Sequence, residues 1–225
     1  MLGNRDLIKL LELARDEERR FAGRLSADER AAAGTLDRPA PKDVLAHIAG
    51  AKEAIRAAMV DAREGGDPDD SHDRDALFHA SRALPFDAVE HDAELAGGAL
   101  IAEVERISPA VLATSPAWIS EPTLEEEIVM YGVTHSLTHL FDPLCERGDS
   151  HLALRMQQRY VDALPADASA ELRAGARYNL GCLHARLGQE DDALMMIEQA
   201  TALEPGLADL ARNDPDLERL QLQLR

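Results

Sequence analysis

The chain reads as an all-α protein, and three features of the sequence lead there. Alanine and leucine recur throughout while aromatics make up only 4% of the 225 residues, a mix that favours helices packed on helices over sheets. Apolar residues repeat at spacings of three and four in one stretch after another. Prolines, glycines and Ser/Thr caps separate those stretches.

Leu7, Leu10, Leu11, Leu13, Ala14 and Phe21 define a first helix over residues 5–25, with Asn4 as its N-cap. The stretch SADERAAAGTLDRPAP is a connector ending in two prolines. A second helix starts at Pro41 and runs through DVLAHIAGAKEAIRAAMVDAREG to the stop signals Gly65 and Gly66. An acidic, turn-rich link follows, GGDPDDSHDRD, a solvated connector or a lid, with a short turn of helix at DALFHASR. It lacks the ligand spacing of a calcium loop. Pro85 suits the first position of a third helix that ends before Ser108-Pro109. Thr123-x-x-Glu126 is a capping box that opens a fourth helix, running to about Arg147 with Gly148 as its cap. Four such helices, each roughly 30 Å long, bury their apolar stripes most economically as a four-helix bundle over residues 1–148. The long link after the second helix can cross the bundle, so helices two and three need not be antiparallel neighbours.

Residues 149–225 have a different texture. Residues 151–164 form another amphipathic helix ending at Pro165. In 178–206, Tyr178, Leu180, Gly181, Gly188, Ala193, Ala200, Leu203 and Pro205 stand where a tetratricopeptide repeat places them. The segment resembles that family over about 30 residues, and 151–164 matches the second half of an earlier, degenerate repeat. So short an array does not bury its own stripe. It is therefore expected to pack on the bundle or on a partner protein.

Charge and cysteine usage exclude several function classes. Lysine plus arginine count 24 against 42 acidic residues, a net charge of −18. Such a surface repels phosphate backbones and anionic lipid, which argues against nucleic-acid and membrane partners. The N-terminus is charged throughout, unlike a signal peptide, and no apolar run is long enough to span a bilayer. Two cysteines without a CxxC, Cys145 and Cys182, suit a reducing, cytoplasmic setting. Cys145 reads as a small apolar residue rather than a nucleophile.

The chemistry-bearing residues are histidines. His47 lies on the stripe traced by Val44, Ile48, Ala51 and Ile55, and Ile128, Gly132, His135 and His139 follow one face of the fourth helix. His47 falls roughly 9 Å from the start of its helix and His139 roughly 12 Å from the end of its own, at 1.5 Å per residue. In an antiparallel pair these depths coincide and the three imidazoles meet. Three neutral imidazoles leave a fourth position open, the donor set of a catalytic zinc or similar divalent ion. HSLTH lacks the glutamate of H-E-x-x-H, so this is not the zinc-protease signature. Asp142, three past His139, is a candidate hydrogen-bond acceptor behind the ligands or an extra ligand. His72, His79, His91, His151 and His184 carry no chemistry in this reading.

The run PKDVLAHIAGAKEAI, the LPFDAVEHDAEL opening of the third helix and the HSLTHL of the fourth, in this order and spacing, resemble the DinB/YfiT-like superfamily of metal-binding four-helix bundles over about residues 5–147. The resemblance implies an up-down-down-up bundle. It also implies His47 as the histidine of the family's L-x-H-x motif, and His135 and His139 as its H-x-x-x-H pair. It further implies zinc or nickel as the ion, frequent pairing into homodimers, and activities linked to stress or detoxification. Characterised members of the family are S-transferases and isomerases using low-molecular-weight thiols such as bacillithiol or mycothiol. Two classes of function follow. One is a metal-dependent enzyme, a hydrolase or thiol S-transferase, acting on a small-molecule substrate. The other is a non-catalytic scaffold that binds a protein partner through the C-terminal repeat. No Arg/Lys cluster stands near the three histidines to grip an anionic thiol.

Overall fold

A computed structural model of the chain describes residues 2–66, 68 and 74–221. Every regular element among them is helical: α1 (Asn4–Ala22), α2 (Ala27–Ala31), α3 (Pro41–Glu64), α4 (Arg74–Arg82), α5 (Phe86–Val104), α6 (Pro109–Leu112) and α7 (Leu124–Val129). A π-helical turn, Met130–Thr134, leads into α8 (His135–His139) and α9 (Phe141–Glu146). Then come α10 (Ser150–Ala163), α11 (Ala170–Arg186), α12 (Glu190–Leu203), α13 (Leu207–Ala211) and a 3-10 helix, Pro215–Leu220. The chain divides into two compact units, Leu2–Pro143 and Leu144–Arg225. No helix among the described residues is long and apolar enough to cross a membrane.

In the first unit, polar contacts fix the helix directions. The Asn4 side-chain amide donates to the carbonyls of Val104 and Ile107 at the end of α5, and Arg15 pairs with Glu94 further back, so α1 and α5 run antiparallel. Asn4 is thus not the N-cap, which is Gly3. Its amide is spent instead on the exposed carbonyls of another helix end. The Leu2 N–H donates to Glu125 and Leu11 closes on Gly132, so α1 runs parallel to the 124–139 segment. Residues 46–57 of α3 flank 89–99 of α5, and Arg63 pairs with Glu103, so α3 and α5 are parallel. It follows that α3 and α8 are antiparallel. Pro85 precedes α5 as its extended N-cap rather than standing at its first position. The SADER stretch closes a capping box of its own, Ser26 with Glu29, and forms α2. DALFHASR lies within α4, which packs on α3 where Gly50 admits Leu77. Most of the acidic link, including His72, lies outside the described residues.

The start of the fourth long helical segment is held by buried carboxylates. Glu125, Glu126 and Glu127 are all buried. Glu125 accepts from Leu2 N–H, and Glu127 accepts from the N–H groups of Ser120 and Glu121. Thr123 caps Glu126 N–H and donates its own hydroxyl back to the Glu126 carboxylate. Three negative charges in a first helical turn also sit well against the helix dipole. The expected single helix to Arg147 is broken at Leu140. Pro143 has no N–H for the His139 carbonyl four residues back, and its ring crowds that carbonyl.

The second unit is built on close approach. Gly188, at φ +74°, makes the turn between α11 and α12, a conformation that costs glycine nothing. Across the hairpin Gly181 lies under Ile197, and a Cβ there would stand 2.8 Å from its Cδ1. Tyr178, Ile197, Ala200, Leu217 and Leu220 share one buried cluster. Gln157 of α10 donates to the Ala176 carbonyl of α11.

Candidate metal centre

The three sequence-predicted imidazoles lie together in the first unit. One ring nitrogen from each of His47, His135 and His139 falls within a group spanning no more than 4.8 Å. Ring centroids stand 4.8 Å apart for His47–His135, 4.5 Å for His47–His139 and 4.3 Å for His135–His139. His47 Nε2 and His139 Nε2 are separated by 3.2 Å. Two nitrogens bound to one tetrahedral ion at the usual metal–nitrogen length stand about 3.3 Å apart. The spacing therefore accommodates a shared ion, and equally a single N–H···N hydrogen bond. Neutral imidazole is a donor that suits zinc, nickel and neighbouring transition ions, so the residues present fit such an ion.

The rings are half-buried, not in the core. Their flanking position has a local cause. A π-turn carries one more residue than an α-turn, so residues beyond Met130–Thr134 are rotated by about 100° relative to a continuous helix. Ile128 and Gly132 remain on the core face, and His135 and His139 turn toward the edge of α3. Gly132 lets the π-turn sit against its neighbours, since a Cβ there would meet Leu11 at 2.4 Å and Leu100 at 3.1 Å. Tyr131 brings its ring to 6.2 Å from His135.

A cavity of about 280 Å³ opens beside the rings, lined by Leu36, Asp37, Pro39, Asp43, Val44, His47, Phe78 and His139. Asp43 stands one turn before His47 on α3 and is 5% exposed. One of its oxygens accepts from Ala40 N–H at 2.8 Å, and Gly34 passes so close to that oxygen that no side chain fits there. Sequence reasoning passed over Asp43, although its D-x-x-x-H spacing to His47 was the available signal. Asp142 is exposed beyond the Leu140 break, and its carboxylate is outside the three-nitrogen group.

A second cluster, Cys182 with Asp214 and Asp216, lies in the other unit. There the Tyr178 hydroxyl and the Cys182 thiol both donate to Asp214. Burial first, and the Asp214 carboxylate second, push the titration of both groups far up. Cys182 is therefore held as a thiol and lacks the thiolate a nucleophile needs. His184 bonds Gln189 across the hairpin turn.

No protein-family model, curated protein or solved structure matches the chain.

Proposed function

We propose that Leu2–Pro143 is a DinB-like, up-down-down-up four-helix bundle formed by α1, α3, α5 and the segment 124–143, and that it holds a divalent transition ion through His47, His135 and His139. The observation that carries this reading is the convergence of three imidazole nitrogens from two antiparallel segments within 4.8 Å. The helix directions support the bundle assignment. Zinc or nickel is the proposed ion. It would supply Lewis-acid activation of water or of a small thiol, which makes the protein a metal-dependent hydrolase or S-transferase of stress or detoxification chemistry. The α11–α12 hairpin is proposed as a tetratricopeptide-like repeat that serves as a docking or dimer-forming element.

Elemental mass spectrometry of untagged, chelator-free protein tests the centre. Near-stoichiometric zinc or nickel is expected in the native chain, and less than a tenth of it in His135→Ala/His139→Ala. A native chain that carries no metal and takes none up on titration would leave His47 and His139 as a hydrogen-bonded pair. The scaffold reading would then stand, with the hairpin as its partner-binding element.

A further inference from the structure

The cavity beside the three imidazoles narrows what the centre accepts. Its volume of about 280 Å³ equals roughly nine waters at ~30 Å³ each, so the part of a ligand that enters is compact. Leu36, Pro39, Val44 and Phe78 supply the apolar part of its wall. Its charged lining is acidic, with Asp43 buried and Asp37 exposed. Among the described residues no lysine or arginine lines it. Two nearby cations are engaged elsewhere, and Arg38, exposed between Asp37 and Pro39, is not among the lining residues. Lys42 donates its ammonium to the Arg82 and Leu84 carbonyls at 3.3 and 2.8 Å, and the Arg82 guanidinium lies over the Phe78 ring, 5.3 Å from its centroid.

The two ends of this space make opposite demands. His47 and His139 line it and, with His135, offer an ion with an open position, which takes a soft or anionic donor atom. The Asp37 and Asp43 carboxylates line the same space as His47 and His139, with no lysine or arginine among the described lining residues. Asp43 is 5% exposed, and charges act on one another more strongly at a buried position than in open water. A carboxylate on the ligand's far end would meet like charge, and an ammonium would meet opposite charge.

We infer that the site takes a compact ligand with a metal-binding head and a cationic tail, an aminothiol or similar amine, and discriminates against the corresponding thiol acid. This rests on the metal-centre reading above. It gives Asp37 and Asp43 the task of selecting ligand charge, and it places anionic thiol cofactors among the poor ligands.

Cobalt(II)-loaded full-length protein provides the test, with 2-aminoethanethiol and 3-mercaptopropionate as probes that share a two-carbon spacer and carry opposite tail charge. Binding is read from the sulfur-to-cobalt charge-transfer absorption. The native protein is expected to bind the aminothiol at least tenfold more tightly. Because the two thiols differ in acidity, the decisive number is the change in that ratio on substitution. Asp37→Lys, at an exposed position, should lower the ratio at least fivefold while cobalt affinity stays within twofold. Asp43→Asn, with cobalt loading and helicity checked first, should lower it as well. A cobalt-loaded protein whose ratio is near one, or unmoved by Asp37→Lys, overturns the inference and leaves the centre standing. A native chain that takes up no cobalt overturns both.

Discussion

The two units bury different things. Leu2–Pro143 encloses Glu17, Glu18, Asp43, Lys52, Glu103 and three consecutive glutamates, whereas among the described residues of Leu144–Arg225 the buried side chains with polar groups, such as Gln157, Tyr178 and Cys182, include no acid or base of that kind. The second unit is held by small residues that let α11 and α12 approach, with Gly181 under Ile197 and Ala193 and Ala200 fully buried. Burying charge is costly unless every partner is in place, and it is weak evidence for stability. Its concentration in the first unit shows helices fixed in direction and register by specific polar contacts. The proposed three-histidine centre, drawn from two segments, calls for that kind of fixing, since ligands must be held within a fraction of an ångström.

Breaking one buried pair should expose this contrast most clearly. Lys52 and Glu18 bond at 2.5 Å with 1% and 4% of their surfaces exposed. Lys52→Ala strands a buried carboxylate and is expected to cost about 3–5 kcal/mol in urea unfolding. The double change Glu18→Leu/Lys52→Met should recover most of that. If the single and double variants are equally destabilised, the loss is one of packing and the contrast between the units fails.

Overpacking the second unit is the converse experiment. Gly181→Ala brings a methyl to 2.8 Å from Ile197 Cδ1, which should cost about 1–3 kcal/mol. Metal uptake at the proposed centre is expected to stay unchanged, because the atoms crowded by the substitution belong to Ile197 and Ala193. Loss of metal in this variant would show that the centre depends on the hairpin.

The smallest effect concerns a charge clamp at partial exposure. Burial pushes the Glu94 carboxyl up, but hydrogen bonds from Arg19 and Arg15 outweigh it and hold the group below its ordinary value of 4.5. The clamp's contribution is thus present above pH 4.5 and is lost as pH falls through the depressed value in the folded state. With Arg19 about half exposed, solvent screening limits it to ~0.5–1 kcal/mol. Glu94→Gln should be less stable than the native protein by that amount at pH 7. The two should converge as the pH falls below 4.5 and through the depressed folded-state value, and a gap that stays constant would assign it to something other than the carboxylate's charge.

The sequence by itself determined the helices and their punctuation. Pro41 and Gly65 bound α3, Thr123 caps α7 and Gly188 turns the hairpin, because caps, prolines and positive-φ glycines act on the few residues around them. It also determined which histidines to watch, since heptad-like spacing and helix depth need only the rise per residue. Tertiary structure alone decided the rest. The cap at Thr123 places LEEEI at a helix start but does not say that its glutamates are buried; Glu125 and Glu127 meet backbone N–H groups of Leu2, Ser120 and Glu121. Asn4 has the residue type of a cap, and only the end of α5 draws its amide away. The π-turn that rotates His135 and His139 off the core face leaves no local signature, because it depends on the close approach of Leu11 and Leu100 to Gly132. Asp43 became visible as a cavity wall only once α3, α4 and the 34–40 connector enclosed the space beside the imidazoles. Local rules fix where a helix begins and ends. Which way its side chains face, and what they meet, is settled by neighbours distant in the chain.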